Sequence, residues 1–182
     1  MDNRWRIEKL TKALQQTTDS LEASAAVVVL LRTAGQDFQV LLVKRAEALT
    51  DAWSGQTALP GGKRDPEDKD IKATVVRETL EETGINLLED CLFLGIMEPL
   101  RSIQKPKMKI ASFVVLQKKE QQIKLNEELT KYFWAQLKEL EKNKERVKLP
   151  LGEFPAYTTN KHVIWGLTYN ILQNLLSLIS DI

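Results

Sequence analysis

One cysteine and one histidine are all that the 182-residue chain carries of those two residue types. With Cys91 alone, an intrachain disulfide and a multi-cysteine zinc site are excluded. Because Cys91 opens the apolar run CLFLGIM, it reads as a buried thiol rather than a nucleophile. With His162 alone, a histidine-rich zinc centre or a histidine-based catalytic pair is disfavoured, which leaves capping, packing or one ligand contact. An excess of charge of one sign is also missing: 26 basic and 25 acidic residues give a formal net charge of +1. Bulk electrostatics therefore single out neither nucleic acid nor an anionic membrane, and no stable nucleic-acid partner is expected. No apolar stretch is long enough to span a bilayer, and the start MDNRWRIEKL lacks a signal-peptide core. The expectation is no membrane partner and a cytoplasmic location, with other intracellular compartments open. Repeats and low-complexity tracts are absent too, and 43% hydrophobic residues in 20.8 kDa suffice for one domain with a substantial core.

Taken in order, Trp5, Leu10, Ala13, Leu14 and Leu21 fall at loosely helical intervals, which predicts a peripheral helix from Arg4 to about Ala23, with Trp5 covering the core. Ala25 to Leu31 and Phe38 to Val43 are strand-like and flank a Gly35-containing turn, so they predict a hairpin. Lys44 and Arg45 end the second run and either meet a phosphate or lie solvated. Trp53 precedes the glycine loop, where it stacks on a base or packs beneath the loop. Cys91 to Met97 and Ile110 to Leu116 have strand character, and Arg101, Lys105, Lys107 and Lys109 between them either guide a phosphorylated ligand or stay solvated. A short strand is expected over Ile123 to Leu125, another over Lys131 to Ala135, and a charged helix or loop over Leu137 to Lys148. Thr158, Thr159 and Asn160 look like a capping cluster for a long terminal helix with Ile164, Leu167, Ile171, Leu175 and Leu178 on one stripe. This alternation favours a mixed sheet between helices.

The chemistry concentrates between Leu59 and Ile85, in LPGGKRDPEDKDIKATVVRETLEETGI. A helix over Ile71 to Thr83 places Glu78 and Glu82 four apart, and Glu78 and Glu81 three apart, so the three carboxylates can converge over one turn. Ile71, Val75, Thr79 and Leu80 are expected to form its packed surface, and Gly84 to end it. Three glutamates a turn apart repel one another, so the cluster implies a positive neighbour. Arg77, four before Glu81, supplies part of it. Hard oxygen donors in this number suit Mg2+ or Mn2+, which would bind diphosphate oxygens and polarise phosphorus. Gly61 and Gly62 permit close backbone approach beside that face. The competing reading is a solvent-facing salt-bridge helix without a ligand.

The glycine loop followed by Arg77-Glu78-Thr79-Leu80-Glu81-Glu82-Thr83-Gly84-Ile85 resembles the signature of the Nudix hydrolase family. Asp68 stands where that family usually has a glutamate, and the interval from there to Arg77 is one residue longer. That insertion, LLVKR, LPGGK and HVIWGLTYNIL resemble the coenzyme A pyrophosphatase-like branch, over about Ala25 to Leu176. The resemblance implies an α/β/α sandwich with a central mixed β-sheet. The expected organisation is an amino-terminal helical extension over residues 1–24 packed on a Nudix-type domain of residues 25–182. By resemblance, Glu78, Glu81 and Glu82 are metal ligands, and together with Arg77 they form the catalytic set. Asp68 supports Arg77; Lys44, Arg45, Trp53, Gly61, Gly62 and Lys63 are candidate substrate-binding residues, and Glu128 a candidate base. The implied reaction is metal-supported attack of water on the diphosphate of a small nucleotide derivative, with coenzyme A or an acyl-coenzyme A first. Nucleoside triphosphates, nucleotide sugars and dinucleotides are the alternatives, as is a non-catalytic nucleotide- or RNA-binding module. A homodimer using Trp5 and the terminal helix is one arrangement open to the chain.

Overall fold

A computed structural model describes residues 3–18, 22–47, 54–101, 106–150, 152–159 and 162–180. In chain order these form α1 (Arg4–Ala13), β1 (Ala25–Ala34), β2 (Asp37–Arg45), β3 (Thr57–Ala58), β4 (Gly61–Lys63), α2 (Ile71–Thr83) and β5 (Cys91–Arg101). There follow β6 (Lys109–Gln117), β7 (Leu129–Gln136), α3 (Leu137–Lys142), β8 (Lys144–Leu149), β9 (Gly152–Thr159), β10 (His162–Trp165) and α4 (Gly166–Ser180).

β1 is the hub of the larger sheet, whose order is β3-β2-β1-β6-β5, with β4 paired to β1 and β7 to β2. The expected hairpin is present, with Leu31 opposite Val40 and Ala34 opposite Asp37. β1 and β6 run parallel, whereas the other pairings are antiparallel, so the sheet is mixed. The near-continuous apolar run of β1 suits burial on both faces. Val29 and Leu31 of β1, Val40 and Leu42 of β2 and Val114 of β6 pack on one side with Ile171, Leu172 and Leu175 of α4. Val28 and Leu30 of β1, Leu41 of β2 and Phe113 and Val115 of β6 pack on the other side with Ile71 and Val75 of α2. Helices on both faces make the expected α/β/α sandwich. A second, antiparallel sheet, β10-β9-β8, joins the α4 side, where Tyr157 and Ile164 enter the core.

Several local expectations are corrected. α1 stops at Ala13 rather than near Ala23, because the chain after it turns extended and pairs with the edge of β5: Gln15 and Ile96 exchange N–H to O bonds of 3.0 and 2.8 Å. Trp5 is 48% exposed, and Leu10 and Leu14 do the core packing expected of it. Leu21 lies outside the described residues. Leu80 is 46% exposed, since the buried stripe of α2 runs through Ile71, Val75, Thr79 and Thr83 and leaves position 80 off the face. Ile123 to Leu125 is not a strand. Its neighbourhood instead satisfies carbonyls at the end of α2, with Lys124 N–H donating to Thr83 O at 2.8 Å and Asn126 N–H to Glu82 O at 3.1 Å. Leu137 to Lys148 divides into α3 and most of β8, and Asp37 Oδ2 accepts the Lys138 N–H at 3.2 Å near the start of α3. Thr158 and Thr159 belong to β9 rather than to a helix cap, and α4 begins only at Gly166, so Ile164 is a strand residue. Asn160 lies outside the described residues.

Candidate active site

Both ends of α2 are held by local chemistry. Asp70 Oδ1 accepts the Ala73 N–H at 2.7 Å, and Gly84, at φ 72°, donates its N–H to Leu80 O at 2.9 Å. Between these stops the helix presents Arg77, Glu78, Glu81 and Glu82 to three different settings.

Arg77 is the clamp. Its Nε and Nη2 donate to the two carboxylate oxygens of Asp68, each at 2.9 Å, and Nη2 also reaches Lys63 O at 3.2 Å. Its Nη1 donates to Glu78 Oε1 at 3.1 Å and Glu81 Oε2 at 3.2 Å. One guanidinium thus ties the loop after β4 to two glutamates of the helix. The hydrogen bonds from Arg77 hold the buried Asp68 carboxyl well below the usual range, and that partner in turn raises the Arg77 pKa.

Glu82 is 4% exposed. Its Oε2 accepts the Gly61 N–H at 2.8 Å, and Arg45 Nη1 lies 3.9 Å from Oε1. Burial pushes its carboxyl up to about 7, against the opposing pull of Gly61 and Arg45. Glu78 is also raised, first by burial, with Arg77 opposing. Arg45 Nη2 stands 3.9 Å from Glu128 Oε2, and Ala46 N–H holds Glu128 O at 2.8 Å. The glycine pair makes this closeness possible. A Cβ at Gly61, which has φ 141°, would lie 2.6 Å from Val27 Cα, and one at Gly62 would lie 2.6 Å from Glu78 Oε1.

These groups border a cavity of about 390 Å³. Glu78, Glu82, Glu128, Arg45 and Lys63 form its charged part, beside Gly61 and Gly62. Glu81 does not border it, being exposed and held by Arg77. Lys44 does not border it either and lies near His162 and Lys131. Trp53 and Lys105 lie outside the described residues. Arg101, Lys107 and Lys109 do not line the cavity, and Lys109 pairs with Glu22 at 3.6 Å. Met108 and Ile110, with Leu167, Thr168 and Ile171 of α4, also line the cavity, and no motif in the sequence marks them as site residues. The helical stripe marked Leu167 and Ile171 as apolar, but nothing local in the sequence says which part of that stripe borders a cavity.

The donor set fits a hard divalent cation: it is made of carboxylate oxygens, and one carboxyl is buried at a cost that a cation would relieve. Among the described residues, no three acidic, histidine or cysteine side chains are gathered closely enough to hold an ion in their present positions.

The NUDIX domain model matches residues 21–155. The chain belongs to the Nudix family. Nudix hydrolases generally use divalent metal ions, and the chain is a Nudix-type hydrolase of diphosphate linkages. It is 31% identical over 166 residues to the mitochondrial coenzyme A diphosphatase NUDT8 of Homo sapiens, covering 87% of this chain and 70% of that protein. It is 36% identical over 83 residues to the peroxisomal coenzyme A diphosphatase ndx-8 of Caenorhabditis elegans, covering 44% of this chain and 35% of that protein. The crystal structure of a Nudix hydrolase from M. smegmatis, RenU, superposes with a TM-score of 0.59 at 17% identity, over 88% of this chain and 87% of that one, a likeness of fold. Among the described residues, no helix is long and apolar enough to cross a membrane.

Proposed function

We propose that the chain cleaves the diphosphate of coenzyme A or an acyl-coenzyme A with the help of Mg2+ or Mn2+. The observation that carries this is the convergence of Glu78, Glu82 and Glu128 with Arg45 and Lys63 on one cavity, in a chain similar to two coenzyme A diphosphatases. Glu78, Glu81 and Glu82 would hold the cation. When bound, the cation neutralises diphosphate oxygens and makes phosphorus more electrophilic.

The chain's own residues supply the rest. Arg77 ties Glu78 and Glu81 to the loop through Asp68, so it sets the positions from which the carboxylates close on a cation. Arg45 and Lys63 counter the charge of the phosphate groups at the cavity wall. Glu128, exposed at the rim, accepts a proton from the attacking water.

A substrate panel tests this: coenzyme A, acetyl-coenzyme A, ADP-ribose, a dinucleoside polyphosphate and a nucleoside triphosphate, each with Mg2+ or Mn2+, read by product mass. The expected result is cleavage of the coenzyme A compounds into two phosphate-bearing products. Inactivity on these with turnover of another diphosphate would reject the substrate, and binding without turnover throughout would favour a non-catalytic module. The mitochondrial and peroxisomal names of the relatives make organelles, as well as the cytoplasm, the compartments to test by fractionation.

A further inference from the structure

The cavity has two chemically distinct parts. Besides the charged residues, its lining includes the apolar Met108, Ile110, Leu167 and Ile171, the last two of which lie four apart and so share one face of α4. Val27 and Ala25 of β1 continue this wall, and Ala25 is the strand partner of Ile110. Among the described lining residues of α4, Thr168 carries a hydroxyl. Among the described lining residues there is no aromatic ring on which a base could stack. At about 390 Å³ the cavity is at the small end for a ligand site, enough for part of a dinucleotide-sized molecule.

We infer that the wall built from Met108, Ile110, Leu167 and Ile171 binds an uncharged, flexible aliphatic arm attached to the diphosphate, a pantetheine-type chain, while the nucleoside end lies outside this wall. This rests on the proposed function and deepens it by assigning one half of the substrate to a named surface. An aliphatic arm buries apolar area there without requiring a ring partner, and Thr168 offers its amides a hydrogen-bond partner. A charged or sugar-like group would lose its hydration against the same wall.

The test uses the two halves of coenzyme A as probes. Wild type, Leu167→Gln and Met108→Gln are titrated calorimetrically with 4′-phosphopantetheine and with adenosine 3′,5′-bisphosphate, and coenzyme A turnover is followed in parallel. Met108 precedes β6 and is only partly buried, so its variant guards against a folding defect in the helix variant. The expected result is that both variants weaken 4′-phosphopantetheine binding by about tenfold and leave the bisphosphate unchanged. Absent 4′-phosphopantetheine binding, or equal affinity in all three proteins, overturns the inference even if coenzyme A is cleaved. Selective weakening in a chain that fails to cleave coenzyme A supports the arm site and rejects the proposed substrate.

Discussion

Arg77 and Asp68 meet through two parallel hydrogen bonds of 2.9 Å, Nε to Oδ1 and Nη2 to Oδ2. The Asp68 side chain is only 6% exposed, and the same guanidinium holds Glu78 and Glu81. The pair therefore connects the loop after β4 to the acidic face of α2.

Removing Arg77 takes both guanidinium donors from the buried Asp68 carboxylate and leaves it the Asp65 N–H, 2.9 Å from Oδ2. Arg77→Met is expected to cost ~3–5 kcal/mol, as for other buried pairs broken on one side. Arg77→Lys keeps the charge but not the fork, so it should recover stability only in part. Because the folded Asp68 carboxyl lies below its ordinary value of 3.8, its contribution is present above that pH and is lost as pH falls through the folded value. Urea titrations below pH 4 should show this slope in wild type and a flatter one in Asp68→Asn; equal slopes would contradict the pairing.

Glu82 has the opposite sign. Its folded carboxyl is raised from 4.5 to about 7, so without a divalent ion the associated stability is fully present below pH 4.5 and is lost as pH rises through about 7. The change is about 3 kcal/mol. In chelator, urea midpoints should fall over that window, and Glu82→Gln should remove the fall. The same variant should lower metal-supported turnover by more than about 100-fold with the fold retained. Unchanged turnover would remove Glu82 from the catalytic set.

The two loop glycines should fail in different ways. At Gly62 an added Cβ meets the far end of the Glu78 side chain, which can move. Gly62→Ala should therefore keep most of its stability while losing about 100-fold in turnover through a displaced carboxylate. At Gly61 the added Cβ meets the backbone of Ala26 and Val27, at a φ that suits glycine. Gly61→Ala should lose ~3 kcal/mol or more of stability. Thermal melts and rates on the two variants separate these outcomes; equal melting losses would contradict the assignment.

What could be read from the sequence was the chemistry carried by neighbouring residues. Arg77, Glu78, Glu82 and Gly84 lie on one helix and its carboxy-terminal stop, so spacing alone reveals their grouping, whereas the Asp70 cap emerges only with the structure. The β1 and β2 hairpin is equally local. Tertiary pairing decides the rest. Thr158 and Thr159 look like cap residues, yet β9 pairs with both β8 and β10, and β-branched and aromatic residues suit that sheet. Gln15 leaves the helical pattern because the edge of β5 offers backbone partners. Leu80 shows the limit of counting apolar residues without knowing which face is turned inward. Met108 and Leu167 are far apart in the chain and share a cavity only through the fold.

Gln173 gives a test on the opposite side of α4. Its Oε1 accepts from Lys144 Nζ at 2.8 Å, Tyr157 OH at 3.0 Å and Tyr169 OH at 3.2 Å. Burial pushes the Tyr157 hydroxyl up to about 12, so it stays protonated and donates across the neutral range. Gln173→Leu keeps the helix but removes the shared acceptor, and the buried Tyr157 hydroxyl then loses its partner. The expected cost is ~1–3 kcal/mol. Tyr157→Phe should cost less, and the double variant should cost less than the two single losses added together, because both act on one hydrogen bond. Urea midpoints for the four proteins measure that coupling. Strict additivity would show that Tyr157 and Gln173 contribute independently, and that the network does not fix α4 against β9.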